Sequence, residues 1–227
     1  MGSIIDQRGH AEQSKVVNVI LFYKYAALSS DEQVLSIYKD AHYKLTSGLD
    51  LCGRILLGLS NDAEGINGTL SGNKANVLAF VVAMLGYERY AEKRCSEEEM
   101  EAMTPARTTF VTAFWEQADQ FARAASLEKP PCMDSPEDFK WSTVTISNYD
   151  DERLFPDLNI KIVSEIISTG GVLSAIKVED TSHGYLTPEQ FHREVQSLEE
   201  SSSTEFQNTS MNNTILIDCR NQKVSRL

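Results

Sequence analysis

Basic side chains are in short supply: 21 Lys and Arg stand against 33 Asp and Glu, giving a formal charge of −12. Nonspecific nucleic-acid affinity comes mainly from cations that displace counterions, so a general attraction to phosphate backbones is excluded. DNA is not an expected partner, and any RNA contact requires a local basic patch. Cysteine is also scarce. Cys52, Cys95, Cys132 and Cys219 include no close pair, which excludes a zinc-binding spacing and a secreted disulfide framework and favours a reducing compartment. His10, His42, His183 and His192 share no ligand spacing with one another or with the cysteines, so neither a metal site nor a cofactor is expected. No apolar run is long enough to span a bilayer, and no internal repeat is present. The N-terminus lacks an apolar signal run and becomes strand-like by Val16, which points to the cytoplasm. Met1-Gly2 opens like a myristoylation signal, but Asp6 stands where that signal needs Ser or Thr.

What is present is enough for a core: 227 residues, 41% of them hydrophobic, can form one or two domains. Residues 16–25 are β-branched, aromatic and nearly continuous in apolar character, as a central strand would be. Ser30-Asp31-Glu32-Gln33 reads as a capping box opening a helix, with Val34, Tyr38, Ala41 and Leu45 on its inner face. Strands are expected at 54–57 and 66–70, and Asn73 can cap a helix that turns Val77, Phe80, Val81 and Met84 inward. The order strand, helix, strand, strand, helix is a ferredoxin-like run that still needs a closing strand. Residues 139–146 and 159–167 both alternate as strands do, and either or both can close the sheet.

Between them, 88–103 is acidic with no strong apolar stripe and reads as a solvated helical connection. Residues 109–125 carry Phe110, Phe114, Ala118, Phe121 and Ala125 at helical spacing, ended by Lys129-Pro130-Pro131. Thr187-Pro188-Glu189-Gln190 opens a further helix that should bury Phe191, Val195 and Leu198. A polar stretch at 199–213 reads as a loop, and 214–219 as a strand.

The glycine pattern Gly53-Arg54-Ile55-Leu56-Leu57, then Glu64-Gly65-Ile66-Asn67-Gly68-Thr69, is the most specific signal in the chain. Together with 22–25 (Phe-Tyr-Lys-Tyr), 138–142 (Asp-Phe-Lys-Trp-Ser), 155–170, 185–189 and 216–221, it resembles the bacterial tRNA uridine hydroxylase family and its eukaryotic, plant-like rhodanese relatives. The resemblance covers most of residues 16–221. It implies an α+β architecture: a ferredoxin-like, acylphosphatase-like N-terminal domain over 15–170 with an insertion at 88–136, followed by a linker and an incomplete rhodanese-like segment over 171–227. The stretch 89–136 is longer than the bacterial pattern, and 222–227 does not resemble the rhodanese continuation. On this reading the chain is a truncated member, lacking the loop of backbone amides that activates the family's cysteine. A lone helix and an unpaired strand within 171–227 are not expected to fold as a rhodanese domain.

Two functional expectations follow. The resemblance implies tRNA uridine 5-hydroxylation by the complete protein, with the N-terminal domain positioning tRNA. The alternative is a non-catalytic binding or interaction module. Lys24, Arg54, Lys140 and Lys161 lie on or beside expected strands; they either meet on one open sheet face and grip RNA phosphates or are ordinary solvated charges. Glu64 and Asn67 either contact substrate or hydrogen-bond the turn backbone and fix its shape. No catalytic residue is assigned: Cys219 sits at a strand end, and Cys52, near Arg54, has no activating partner. Acylphosphatase chemistry is rejected, because Ala26-Ala27-Leu28-Ser29-Ser30 contains no glycine-rich phosphate cradle. Oligomeric state is not legible.

Overall fold

The computed structural model describes residues 15–60, 64–146 and 153–167, together with 187, 189–193 and 195–196. The chain divides into two compact units, 1–167 and 168–227. In the first, strand β1 (Lys15–Lys24), helix α1 (Glu32–Gly48), strands β2 (Cys52–Gly58) and β3 (Ile66–Gly72) and helix α2 (Lys74–Leu85) follow in the expected order. Helices α3 (Tyr87–Ala91), α4 (Glu97–Ala102) and α5 (Pro105–Ala124) come next, then strands β4 (Lys140–Ile146) and β5 (Leu158–Val163).

The five strands form one mixed sheet in the order β4-β1-β3-β2-β5. Both candidate closing strands join it, at opposite edges: β4 runs antiparallel to β1, and β5 parallel to β2. Strands β4-β1-β3-β2 with two crossover helices make the ferredoxin-like plan, and β5 extends it by one strand.

Strand alternation separates two faces. Ile20, Phe22, Ile55, Leu57, Ile66, Leu70 and Ile160 point into the helix-covered core, all at most 8% exposed. Phe22 lies at its centre, its ring centroid 5.4 Å from that of Phe80 on α2 and 5.5 Å from that of Phe139. The glycine motif now has a physical account. Gly68 stands opposite Phe22 in the β1–β3 register, and a Cβ there would overlap the phenyl ring. Gly65 has φ +90°, and its Cβ would run into the Lys24 carbonyl.

Several local expectations are corrected. The N-cap of α1 is Asp31, whose carboxylate accepts from the amides of Gln33 and Val34. Its inner face carries Leu35 and His42 where Val34 was expected, because α5 packs along it beside the sheet. Helix α2 is buried from Ala79 to Leu85 on all sides, since α4 and α5 cover the side away from the sheet. The acidic 88–103 stretch is helical as expected but not wholly solvated. Arg89 forms two hydrogen bonds to the Glu99 carboxylate, at 3.0 and 3.2 Å, and Glu99 is only 4% exposed.

Helix α5 starts at Pro105 and stops at Ala124, well before Pro130-Pro131, with Ser126 at φ +57°. It turns Val111 and Trp115 inward, while Phe110 stays 39% exposed with its ring against Gly48. In the second unit, Thr187 and Gln190 make the expected reciprocal cap (2.7 and 3.2 Å), but Phe191 is 47% exposed, so burial of that ring is not realised. The expected loop at 199–213, the strand-like run at 214–219 and Cys219 lie outside the described residues, as do Leu198, His10 and His183.

Candidate nucleic-acid interface

The sheet face away from the helices collects three of the four predicted cations. The register aligns Lys140 on β4, Leu21 on β1, Thr69 on β3, Arg54 on β2 and Asn159 on β5 in one row across all five strands. The next row carries Tyr23, Asn67, Leu56 and Lys161. Lys140, Arg54 and Lys161 are exposed. Among the described residues the side chains of Arg54 and Lys161 make no hydrogen bond or ion pair, and the Lys140 ammonium donates only to the Glu137 carbonyl, at 3.2 Å. Three cations that have no carboxylate partner among the described residues are thus concentrated on one face of an acidic chain, as a phosphate-binding surface requires.

Lys24 is not among them. It ends β1 with the opposite parity, facing the helix side, where its ammonium donates to the Cys132 carbonyl and the Asp134 carboxylate, at 2.6 Å each. Both groups belong to the wall of a cleft of about 890 Å³ between the C-terminal end of α2, α5 and residues 127–134. Glu88, Glu116, Asp119, Glu128 and Asp134 line that cleft against Lys24 and Lys129. The excess of carboxylates makes it a poor phosphate site.

Glu64 and Asn67 act on backbone, but on backbone far away in sequence. The Ile166 amide donates to the Glu64 carboxylate at 2.8 Å, and the Asn67 side-chain amide donates to the Ile166 carbonyl at 2.9 Å. The two side chains hold both polar groups of one residue just beyond β5, and Ile166 itself is 2% exposed. The sequence left these residues between substrate contact and the backbone of their own turn; no local signal could have indicated residue 166.

None of the described cysteines is set up as a nucleophile. Cys52 is buried, and Arg153 lies across it with a guanidinium nitrogen 3.2 Å from Sγ. Burial pushes the Cys95 and Cys132 thiols above their ordinary range. Among the described residues no group of His, Cys, Asp and Glu could hold a metal ion, and no helix is long and apolar enough to cross a membrane.

A family model described as the UPF0176 acylphosphatase like domain matches residues 17–166. A curated relative, the tRNA uridine(34) hydroxylase of Staphylococcus haemolyticus strain JCSC1435, is 34% identical over 83 residues, which make up 37% of this chain and 23% of that protein. The chain therefore spans less than a quarter of that relative's length.

Proposed function

Because the chain belongs to the UPF0176 family through its acylphosphatase-like N-terminal domain, we propose that this domain binds tRNA and positions it for hydroxylation of a uridine, the reaction named for its relative. The observation that carries the proposal is the row of Lys140 and Arg54, with Lys161 beside it, on a face where none of the three has a carboxylate partner among the described residues. The chemical step itself is assigned to a rhodanese-type cysteine outside this domain, since Cys52 is closed off by burial and burial disfavours the thiolate at Cys95 and Cys132. A cytoplasmic setting and an oxidoreductase role belong to the same reading.

That distribution of cysteines also favours a second reading, in which the polypeptide acts as a tRNA-binding module without catalysis. Two measurements test the pair. The chain should bind tRNA with an affinity that falls steeply between about 50 and 200 mM salt, and replacing Arg54, Lys140 and Lys161 together by Gln should remove most of that affinity. Unchanged binding by the triple variant would sink the positioning role. Mass spectrometry of tRNA nucleosides after incubation with the chain and oxygen separates the readings: hydroxylated uridine refutes the purely binding module.

A further inference from the structure

The open face is not uniformly open, and its shape selects among kinds of RNA. On one side of the central row, Asn67 reaches up to the Ile166 carbonyl, so the chain leaving β5 crosses that end of the face. On the other side, Arg153 lies over Cys52, which is 5% exposed, and Ser71, opposite Cys52 in the register, is 3% exposed. Between these covered ends runs the row of Lys140, Leu21, Thr69, Arg54 and Asn159. All of these are exposed except Thr69, which is half-buried. The row forms a lane across the strands. At about 4.8 Å between strands, Lys140 and Arg54 stand about 14 Å apart along it. The two covered margins, the Asn67 row and the Cys52–Ser71 row, stand four residues apart along β3, about 14 Å at the rise of a strand, with the central row alone between them.

Resting on the reading that this face binds tRNA, we infer that the lane accepts a single unpaired RNA strand and excludes a duplex. A duplex presents two phosphate lines and hides its bases, and A-form RNA is gripped across a wide minor groove through riboses and phosphates. The lane offers the opposite set of contacts. Its cations stand in single file from Lys140 to Arg54, with Lys161 continuing the line on β5 one row over. Between them stand Leu21, 42% exposed, and the half-buried Thr69, and the half-buried ring of Tyr23 lies beside Leu21 on the margin row of Asn67. Unpaired bases can stack on such a surface while their phosphates follow the cations, and a paired helix cannot use it. The occupant is accordingly a looped-out or single-stranded segment of tRNA, lying across the strands with Tyr23 under a base.

The test uses the whole chain and a short fluorescent oligouridylate, free or annealed to its complement, followed by anisotropy beside intact tRNA. The free strand should bind, and the annealed one should bind at least about tenfold more weakly. Replacing Arg54 and Lys140 by Gln should reduce the slope of log affinity against log salt by about 1.4, two phosphate contacts' worth for a single strand. Tyr23→Ala should weaken binding about tenfold, whereas Tyr23→Phe, which keeps the stacking ring, should not. If tRNA binds through Arg54 and Lys140 but the duplex binds as well as the free strand, the lane is refuted and the positioning role survives. Binding of intact tRNA that ignores both cations refutes the two together.

Discussion

His42 provides the sharpest physical test of this fold. It is 0% exposed, and among the described residues neither ring nitrogen has a hydrogen-bond partner. Its ring stands edge-on to Tyr38 (centroids 4.5 Å, 72°) and to Phe114 (5.1 Å, 61°), in the seam where α1 meets α5. Burial lowers its pKa from 6.5 to about 3. The folded protein therefore excludes a proton that the unfolded chain takes up, and the sign is fixed. Above pH 6.5 both states are neutral and the group has no pH-dependent effect. As pH falls toward 3, stability is lost at up to about 1.4 kcal/mol per pH unit. Between pH 7.5 and 5 the loss from this one residue is roughly 2 kcal/mol.

His42→Leu, an apolar chain of similar size, should remove that loss and also relieve the unsatisfied ring nitrogens, a gain of about 1–3 kcal/mol at neutral pH before repacking costs. Urea unfolding of both proteins from pH 7.5 to 5 measures the difference. The window stops at 5 because Glu99 also loses stability in acid. Its burial raises the carboxyl, but hydrogen bonds from Arg89 and Ser96 and the Arg89 charge bring it below its ordinary 4.5, so its contribution disappears only at lower pH. The two curves should diverge by roughly 2 kcal/mol across the window. Parallel curves would refute the reasoning, and would mean that the faces of Tyr38 and Phe114 hold an imidazolium after all.

The remaining predictions concern the motif, the insertion and the chain exit. Gly68→Ala should destabilise the domain by about 1–3 kcal/mol, since its methyl meets the Phe22 ring in a closed core, and a midpoint in urea within error of wild type would contradict that packing. Arg89→Met should cost of order 3 kcal/mol by leaving the nearly buried Glu99 carboxylate unpaired; the companion Arg89→Met/Glu99→Met protein should recover most of the loss in the same titration. Glu64→Ala should speed hydrogen exchange at the Ile166 amide, while Glu64→Gln, which keeps an acceptor oxygen, should leave it slow. Equal exchange in both variants would show that something else protects that amide.

Local patterns in the sequence determined the elements of the first unit. The β-branched run of β1, the Asn73 cap whose side chain receives the Asn76 amide, and the Gly86 stop at φ +86° are decided by neighbours a few residues away. The glycine motif likewise announced tight backbone. Alternation told which residues of each strand share a face, and so put Arg54, Lys140 and Lys161 within reach of one another once the strands paired.

Pairing itself is non-local, and there only the tertiary structure decided. It sent β4 and β5 to opposite edges and turned Lys24 to the far side, into an ion pair with Asp134 110 residues away. It also placed Glu64 and Asn67 on a peptide 102 and 99 residues downstream. Hydrogen-bond partners so distant leave no periodic trace, because nothing in the spacing of a chain records which remote backbone group a side chain will meet. The same holds for His42, which reads as a polar residue on an amphipathic helix until α5 packs against α1 and closes over it.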